Sequence, residues 1–243
     1  ARRRNIPVLS YPEAVAELFN ASALIAVCGT HGKTTTTAML ASVLKEAGSD
    51  PMAIVGSIVN DWKNNSLKGR GRWWVIEADE YQNKLRMYKP FAAILTSVDW
   101  DHPDWFTTES AYREVFCEFM RKIPSHGYAA VCGDATAVLD AVKCCSGNVV
   151  TYGFSADNDV RIVHHDLRLQ DKGTCKGADV YDDYAHHPEE IKATLSALRA
   201  YCGSKRIIAV FMAHTFSRTQ ALLEDFAQSF EDADSVILSD IYA

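Results

Sequence analysis

The segment Leu24-Ile25-Ala26-Val27-Cys28-Gly29-Thr30-His31-Gly32-Lys33-Thr34-Thr35 constrains the fold more than any other stretch of the chain. Its first five residues are continuously apolar, which reads as a strand buried on both faces. Beyond the glycine turn, Leu40, Val43, Leu44 and Ala47 recur at helical spacing, and Gly48 stops the helix. A strand, a glycine turn and a helix in that order form the repeating unit of an α/β sheet. The turn then lies at the strand's carboxyl end, where such sheets bind ligands. Glycines let backbone N–H groups approach an anion closely, and the helix N-terminus adds its dipole. Gly29, Thr30, His31, Gly32, Lys33, Thr34 and Thr35 are therefore the candidate phosphate loop. Lys33 has the reach to bridge outer phosphates, and the Thr34 hydroxyl suits Mg²⁺. The full loop pattern also carries a glycine where this chain has Val27, so the match is partial.

Further strands are expected at 73–76, 92–95, 129–132 and 149–152, with a helical face formed by Tyr112, Val115, Phe116, Phe119 and Met120. A second set starts near residue 178: a strand at 178–182, a helix opened by Pro188, a strand at 207–211, a helix carrying Leu222, Leu223, Phe226 and Phe230, and a strand at 236–238. The expected fold is α/β. A mostly parallel, P-loop-type sheet flanked by helices is followed by a partial Rossmann-like domain. Asp171-Lys172-Gly173-Thr174 is the boundary candidate, giving a central domain over 21–172 and a second over 173–243. A helix near 12–19 almost at the start, and a domain stopping on its third strand, suggest a piece of a larger protein.

The 243 residues are 48% hydrophobic, enough for a real core, and their net charge of −6 argues against a surface-wide footprint for nucleic acid or anionic lipid. No apolar run reaches the ~18 residues that a membrane span needs. The basic start Ala1-Arg2-Arg3-Arg4 lacks a following apolar segment, so it does not read as a secretory signal. Seven cysteines, an odd number without metal-ligand spacing, read as reduced thiols of a cytoplasmic protein rather than a disulfide framework. His164-His165 has no recognisable partner and reads as surface, and the Trp73-Trp74 pair reads as packing.

Two more groups fall at strand ends. Glu77 opens Glu77-Ala78-Asp79-Glu80, and His102 closes Thr96-Ser97-Val98-Asp99-Trp100-Asp101-His102. A carboxylate, a threonine hydroxyl and phosphate oxygens make a reasonable Mg²⁺ shell. Glu77 taken alone is as readily an acidic strand-end residue, and His102 alone is more often structural, but their shared placement after the phosphate loop shifts both toward function.

Gly-Thr-His-Gly-Lys-Thr-Thr-Thr, Glu-Ala-Asp-Glu, Asp-His-Pro-Asp and Tyr181-Asp182-Asp183-Tyr184-Ala185-His186-His187-Pro188 occur here in the order in which the Mur ligases carry similar motifs. Nearly the whole chain resembles that family of ATP-dependent, amide-forming ligases of peptidoglycan precursor synthesis. The resemblance implies three domains, of which residues 1–20 would be the tail of the first, with ATP and Mg²⁺ as cofactors. It implies Thr34, Glu77 and His102 as metal ligands and Lys33, His102, His187 and Arg218 as catalytic residues. Tyr184, His186 and His214 would face the incoming substrate. His214-Thr215-Phe216-Ser217-Arg218-Thr219 is similar to the motif of the members that join L-alanine to the UDP-N-acetylmuramate carboxylate through an acyl phosphate. After Val160–Gln170 the family pattern continues through a Gly-x-His-Asn and an Arg-Arg-Phe segment that supply nucleotide contacts in relatives; this chain passes directly to Gly173.

From the residues alone, His186-His187 is nearly as well read as the first turn of a helix opened by Pro188, and Arg218 as a solvated helix residue. A muropeptide-recycling ligase, a generic P-loop kinase or NTPase, and a non-catalytic binding module or ligase fragment remain open alternatives.

Overall fold

A computed structural model describes residues 8–163, 170–175 and 177–241. The expectations for the basic N-terminus and for His164-His165 lie outside these residues. The described chain divides into two compact units. The first holds residues up to 101 and 105–163; the second holds His102–Asp104 and the described residues from 170 onward.

The first unit is an eight-stranded sheet. Its strands are β1 (Ala23–Cys28), β2 (Met52–Val59), β3 (Asn64–Leu67), β4 (Trp73–Glu77), β5 (Ala92–Leu95), β6 (Tyr128–Cys132), β7 (Asn148–Gly153) and β8 (Val160–Arg161). Their spatial order is β3-β2-β4-β1-β5-β6-β7-β8, and only the β2–β3 pair is antiparallel. β1 pairs with β4 on one side and β5 on the other, so its Val27 stands level with Glu77 and Ile94. That central position explains the unbroken apolar run: Leu24, Ala26, Val27 and Cys28 are wholly buried.

Helices α1 (Tyr11–Phe19), α2 (Lys33–Glu46), α3 (Glu109–Met120) and α4 (Thr136–Val142) accompany the sheet. α1 opens on a capping box in which Ser10 and Glu13 satisfy each other's end of the helix. Thr108 caps α3, which buries Tyr112, Phe116, Phe119 and Met120 in the main core, on the face expected. The tryptophans pack as expected: Trp74 meets Phe19 edge-on at 5.0 Å, and Arg72 lies over Trp73 at 4.8 Å.

The second unit begins with an antiparallel hairpin of β9 (Gln170–Cys175) and β10 (Ala178–Asp182). Then follow α5 (Pro188–Cys202), β11 (Ile208–Phe211), α6 (Phe216–Ala221), α7 (Leu223–Gln228) and β12 (Ser235–Leu238). β11 and β12 pair in parallel with helices between them, the βαβ arrangement expected of a Rossmann-like domain. The helix expected around Leu222, Leu223, Phe226 and Phe230 is α7, and a break at Leu222 (φ −110°, ψ 24°) separates it from α6.

The cysteines are also corrected. Cys117 of α3 and Cys144, just beyond α4, form a disulfide with Cα atoms 5.4 Å apart. Adjacency of Cys144 and Cys145 excludes a bridge between those two but says nothing about a partner 27 residues away. Closing that loop constrains the unfolded chain. Replacing both Cys117 and Cys144 by Ser is expected to lower the unfolding free energy by about 3 kcal/mol in urea titrations under non-reducing conditions. The same difference should vanish in excess dithiothreitol.

Candidate functional site

The loop between β1 and α2 is held against the strand next door. Gly29 has φ 131°, and a Cβ there would fall 2.2 Å from Thr96 Oγ1 and 2.9 Å from the Ser97 amide nitrogen. Only glycine allows the loop to lie this close to the end of β5. The contact is fixed by hydrogen bonds: Thr30 N–H donates to Ser97 O (3.1 Å), His31 N–H to Ser97 Oγ (3.0 Å), and Thr96 Oγ1 to His31 O (2.5 Å). Gly32 (φ 73°) turns the chain into α2, whose first residue is Lys33. The helix therefore starts inside the predicted loop, so its first-turn amides, which have no partner within a helix, open there.

Beneath the loop lies a buried polar cluster. Lys33 Nζ donates to Gly29 O (2.6 Å), Thr30 O (3.1 Å) and Glu80 Oε2 (2.8 Å). Glu80 is fully buried, and its other oxygen accepts from the Tyr112 hydroxyl (3.1 Å). That hydroxyl is 2.8 Å from Thr30 Oγ1, which bonds Asp99 through both its backbone N–H and its carbonyl. Burial works against the Lys33 charge, but the Glu80 carboxylate and its hydrogen bond outweigh it and hold the lysine above its ordinary pKa. Burial pushes the Glu80 carboxyl up, against the pull of Lys33. Lys33 was expected at this site; Glu80 and Tyr112 were not. The acidic run contained Glu80, but its spacing does not separate the buried carboxylate from Asp79, which pairs with Lys84 at 2.6 Å.

Glu77 ends β4, and its carboxylate accepts from the Thr34 hydroxyl (2.8 Å) and from Gly56 N–H (2.5 Å). Two of the three predicted metal ligands are thus brought into contact. A cleft of about 250 Å³ opens here, lined by Tyr11, Lys33, Ile54, Gly56, Glu77 and Lys84 among others. Gly56 is a third residue that sequence reading missed: a Cβ on it would lie 2.7 Å from Glu77 Oε2. His102, the other predicted ligand, opens the His102–Asp104 stretch of the second unit and has a left-handed backbone, φ 55°.

In the second unit, Tyr184, His186, His214 and Arg218 line one cleft of about 580 Å³ with residues of β10, α5 and β11. His186 lies within 3.4 Å of Glu190, and Arg218 is buried. His187 is not among the lining residues. It is buried and caps α5, its Nδ1 accepting from Glu189 N–H at 3.4 Å while Glu190 takes its own N–H at 3.1 Å. The structure therefore gives His187 a helix-capping role, which residue type and spacing did not separate from a catalytic one.

Residues 27–192 match the Mur ligase middle domain, and residues 167–241 match the Mur ligase, glutamate ligase domain. The chain belongs to the Mur ligase family. The UDP-N-acetylmuramate–L-alanine ligase of Geobacter sp. strain M21 is 34% identical over the whole chain, which spans 66% of that relative's length. The alignment runs to 303 positions against the 243 residues of this Mur ligase chain, so it contains positions of the relative with no counterpart here. Among solved structures, the UDP-N-acetylmuramate–alanine ligase of Thermotoga maritima superposes on the whole chain and 67% of its own, with TM-score 0.72 at 20% identity. The MurF ligase of the same organism, in complex with ADP, superposes on 96% of this chain and 71% of its own, with TM-score 0.69 at 17% identity. At those identities the two structures speak for the fold.

Gly56 offers a direct test of the Thr34–Glu77 pair. Gly56→Ala is expected to displace the Glu77 carboxylate, because the clash falls on the free end of a side chain rather than on backbone. Calorimetric titration with Mg²⁺ and ADP should then show about tenfold weaker binding, which is about 1.4 kcal/mol. The melting temperature should change little.

Proposed function

We propose that this chain is the nucleotide-binding part, with a portion of the glutamate ligase domain, of an ATP-dependent ligase that joins L-alanine to the carboxylate of UDP-N-acetylmuramate in the cytoplasm. The observation that carries the reading is the glycine loop with Lys33 beneath it and the Thr34–Glu77 pair beside it, at the end of the central strand. The similarity to relatives with that named activity supports the choice of substrates.

The donor set fits Mg²⁺, a hard cation that takes oxygen ligands: a hydroxyl and a carboxylate oxygen already lie 2.8 Å apart. Thr34 and Glu77 would hold one ion, and His102 would serve a second. When bound, Mg²⁺ neutralises charge on the phosphoryl oxygens. The loop amides and Lys33 hold the outer phosphates and orient the terminal phosphoryl group. The muramyl carboxylate oxygen takes that phosphoryl group and ADP departs. The alanine amine then attacks the acyl carbon, phosphate leaves, and the amine proton is lost to a base. Arg218 neutralises negative charge in this scheme, Tyr184, His186 and His214 orient the amino acid, and His187 fixes His186 through its cap on α5.

Phosphate release from ATP is the test. Release that requires both UDP-N-acetylmuramate and L-alanine supports the ligase; release indifferent to both contradicts it and leaves a simple NTPase. Dependence on a tripeptide in place of L-alanine would point to the recycling reaction. Lys33→Ala is expected to lower turnover by at least about 10²-fold, the order seen when one preorganised charge-stabilising donor is removed.

A further inference from the structure

The Lys33 ammonium has three N–H donors, and all three have acceptors: Gly29 O, Thr30 O and Glu80 Oε2. In this arrangement it has no donor to give to a phosphate. One of the three bonds has to be exchanged when a nucleotide binds. Two of the acceptors are carbonyls of the loop itself, on the strand-pinned side. The third is a carboxylate, so exchanging it for a phosphate oxygen keeps an anion against the ammonium. Glu80 does not lose all support in that exchange, because its other oxygen keeps the Tyr112 hydroxyl. Tyr112 is itself fixed, wholly buried between Phe106 and Phe116 with ring centroids 5.1 and 5.2 Å away.

We infer that Glu80 is a positioning residue for the phosphate loop. It holds Lys33 against the loop carbonyls while the site lacks a nucleotide, and it is the partner that the nucleotide's phosphate replaces. Tyr112, already bonded to the other Glu80 oxygen, steadies the carboxylate once the lysine leaves. The inference rests on the nucleotide reading of the loop and adds a competition within it. Glu80 opposes nucleotide binding even though it lies in the site, so weakening its grip raises affinity.

The test is calorimetric titration of the wild-type chain, Glu80→Gln and Tyr112→Phe with Mg²⁺ and a non-hydrolysable ATP analogue, with melting temperatures measured alongside. A neutral amide keeps the shape but loses the charge-assisted bond, which is about twice as strong as a neutral one. Glu80→Gln should therefore bind the analogue about fivefold more tightly while melting lower. Tyr112→Phe keeps the aromatic packing and removes the hydroxyl that steadies Glu80, so it should bind about threefold more weakly. Loss of packing alone does not tighten binding, so the gain of affinity separates positioning from a merely structural role. Glu80→Gln binding no tighter than wild type, with its fold intact, overturns the inference. If that variant does not fold, Glu80→Asp, which keeps the charge and shortens the reach to Lys33, decides: tighter binding supports the competition, and equal or weaker binding overturns it. A wild-type chain that binds no analogue brings down the nucleotide reading itself, and this inference with it. Wild-type binding without the two shifts brings down the inference alone.

Discussion

A largely enclosed ammonium needs a partner, and the pairing of Lys33 with the fully buried Glu80 answers that need in the first unit. Two charges out of water are tolerated only when the remaining donors and acceptors are also satisfied. Here the loop carbonyls of Gly29 and Thr30 complete the lysine, and Tyr112 contributes to the carboxylate. The pair therefore ties four elements together: the end of β1, the start of α2, the segment after β4, and α3. Tyr112 carries the tie into the main hydrophobic core, where it stacks edge-on with Phe106 and Phe116. The site's polar floor and the core's aromatic wall meet in one side chain.

The close approach of the loop to β5 depends on the same economy of space. Gly29 leaves room for Thr96 and Ser97 to hold the loop from one side, and the helix N-terminus is left open on the other. The Thr34–Glu77 contact and the Gly56 amide set two oxygen ligands between the first turn of α2 and the end of β4. This is the usual location for ligands in such sheets, where the strand order changes direction about β1.

Much of this was legible because it rests on local patterns. The apolar run of β1, the glycine turn and the stripe of α3 follow from burial on two faces or on one, and the sequence shows burial as periodicity. Glu77 was legible as a strand-end carboxylate. What escaped notice depends on partners distant in the chain. Glu80 looks like any acidic residue until Lys33, 47 positions earlier, is seen against it. Gly56 sits in β2, where glycine and serine interrupt the strand signal, and its meaning comes from Glu77 on the neighbouring strand. Cys117 and Cys144 gave no spacing signal. His187 shows the converse case: a histidine in a motif-rich segment is engaged by the helix that follows it.

The central claim is that the segment from Thr30 to Thr35 is a phosphate site whose lysine trades Glu80 for the nucleotide. Amide NMR of the isotopically labelled chain, titrated with Mg²⁺ and ADP, tests it most directly. The account predicts that the largest and saturable shifts fall on the amides from Thr30 to Thr35, with a coupled shift at Glu80. Saturable shifts concentrated elsewhere, with that segment unmoved, would contradict it.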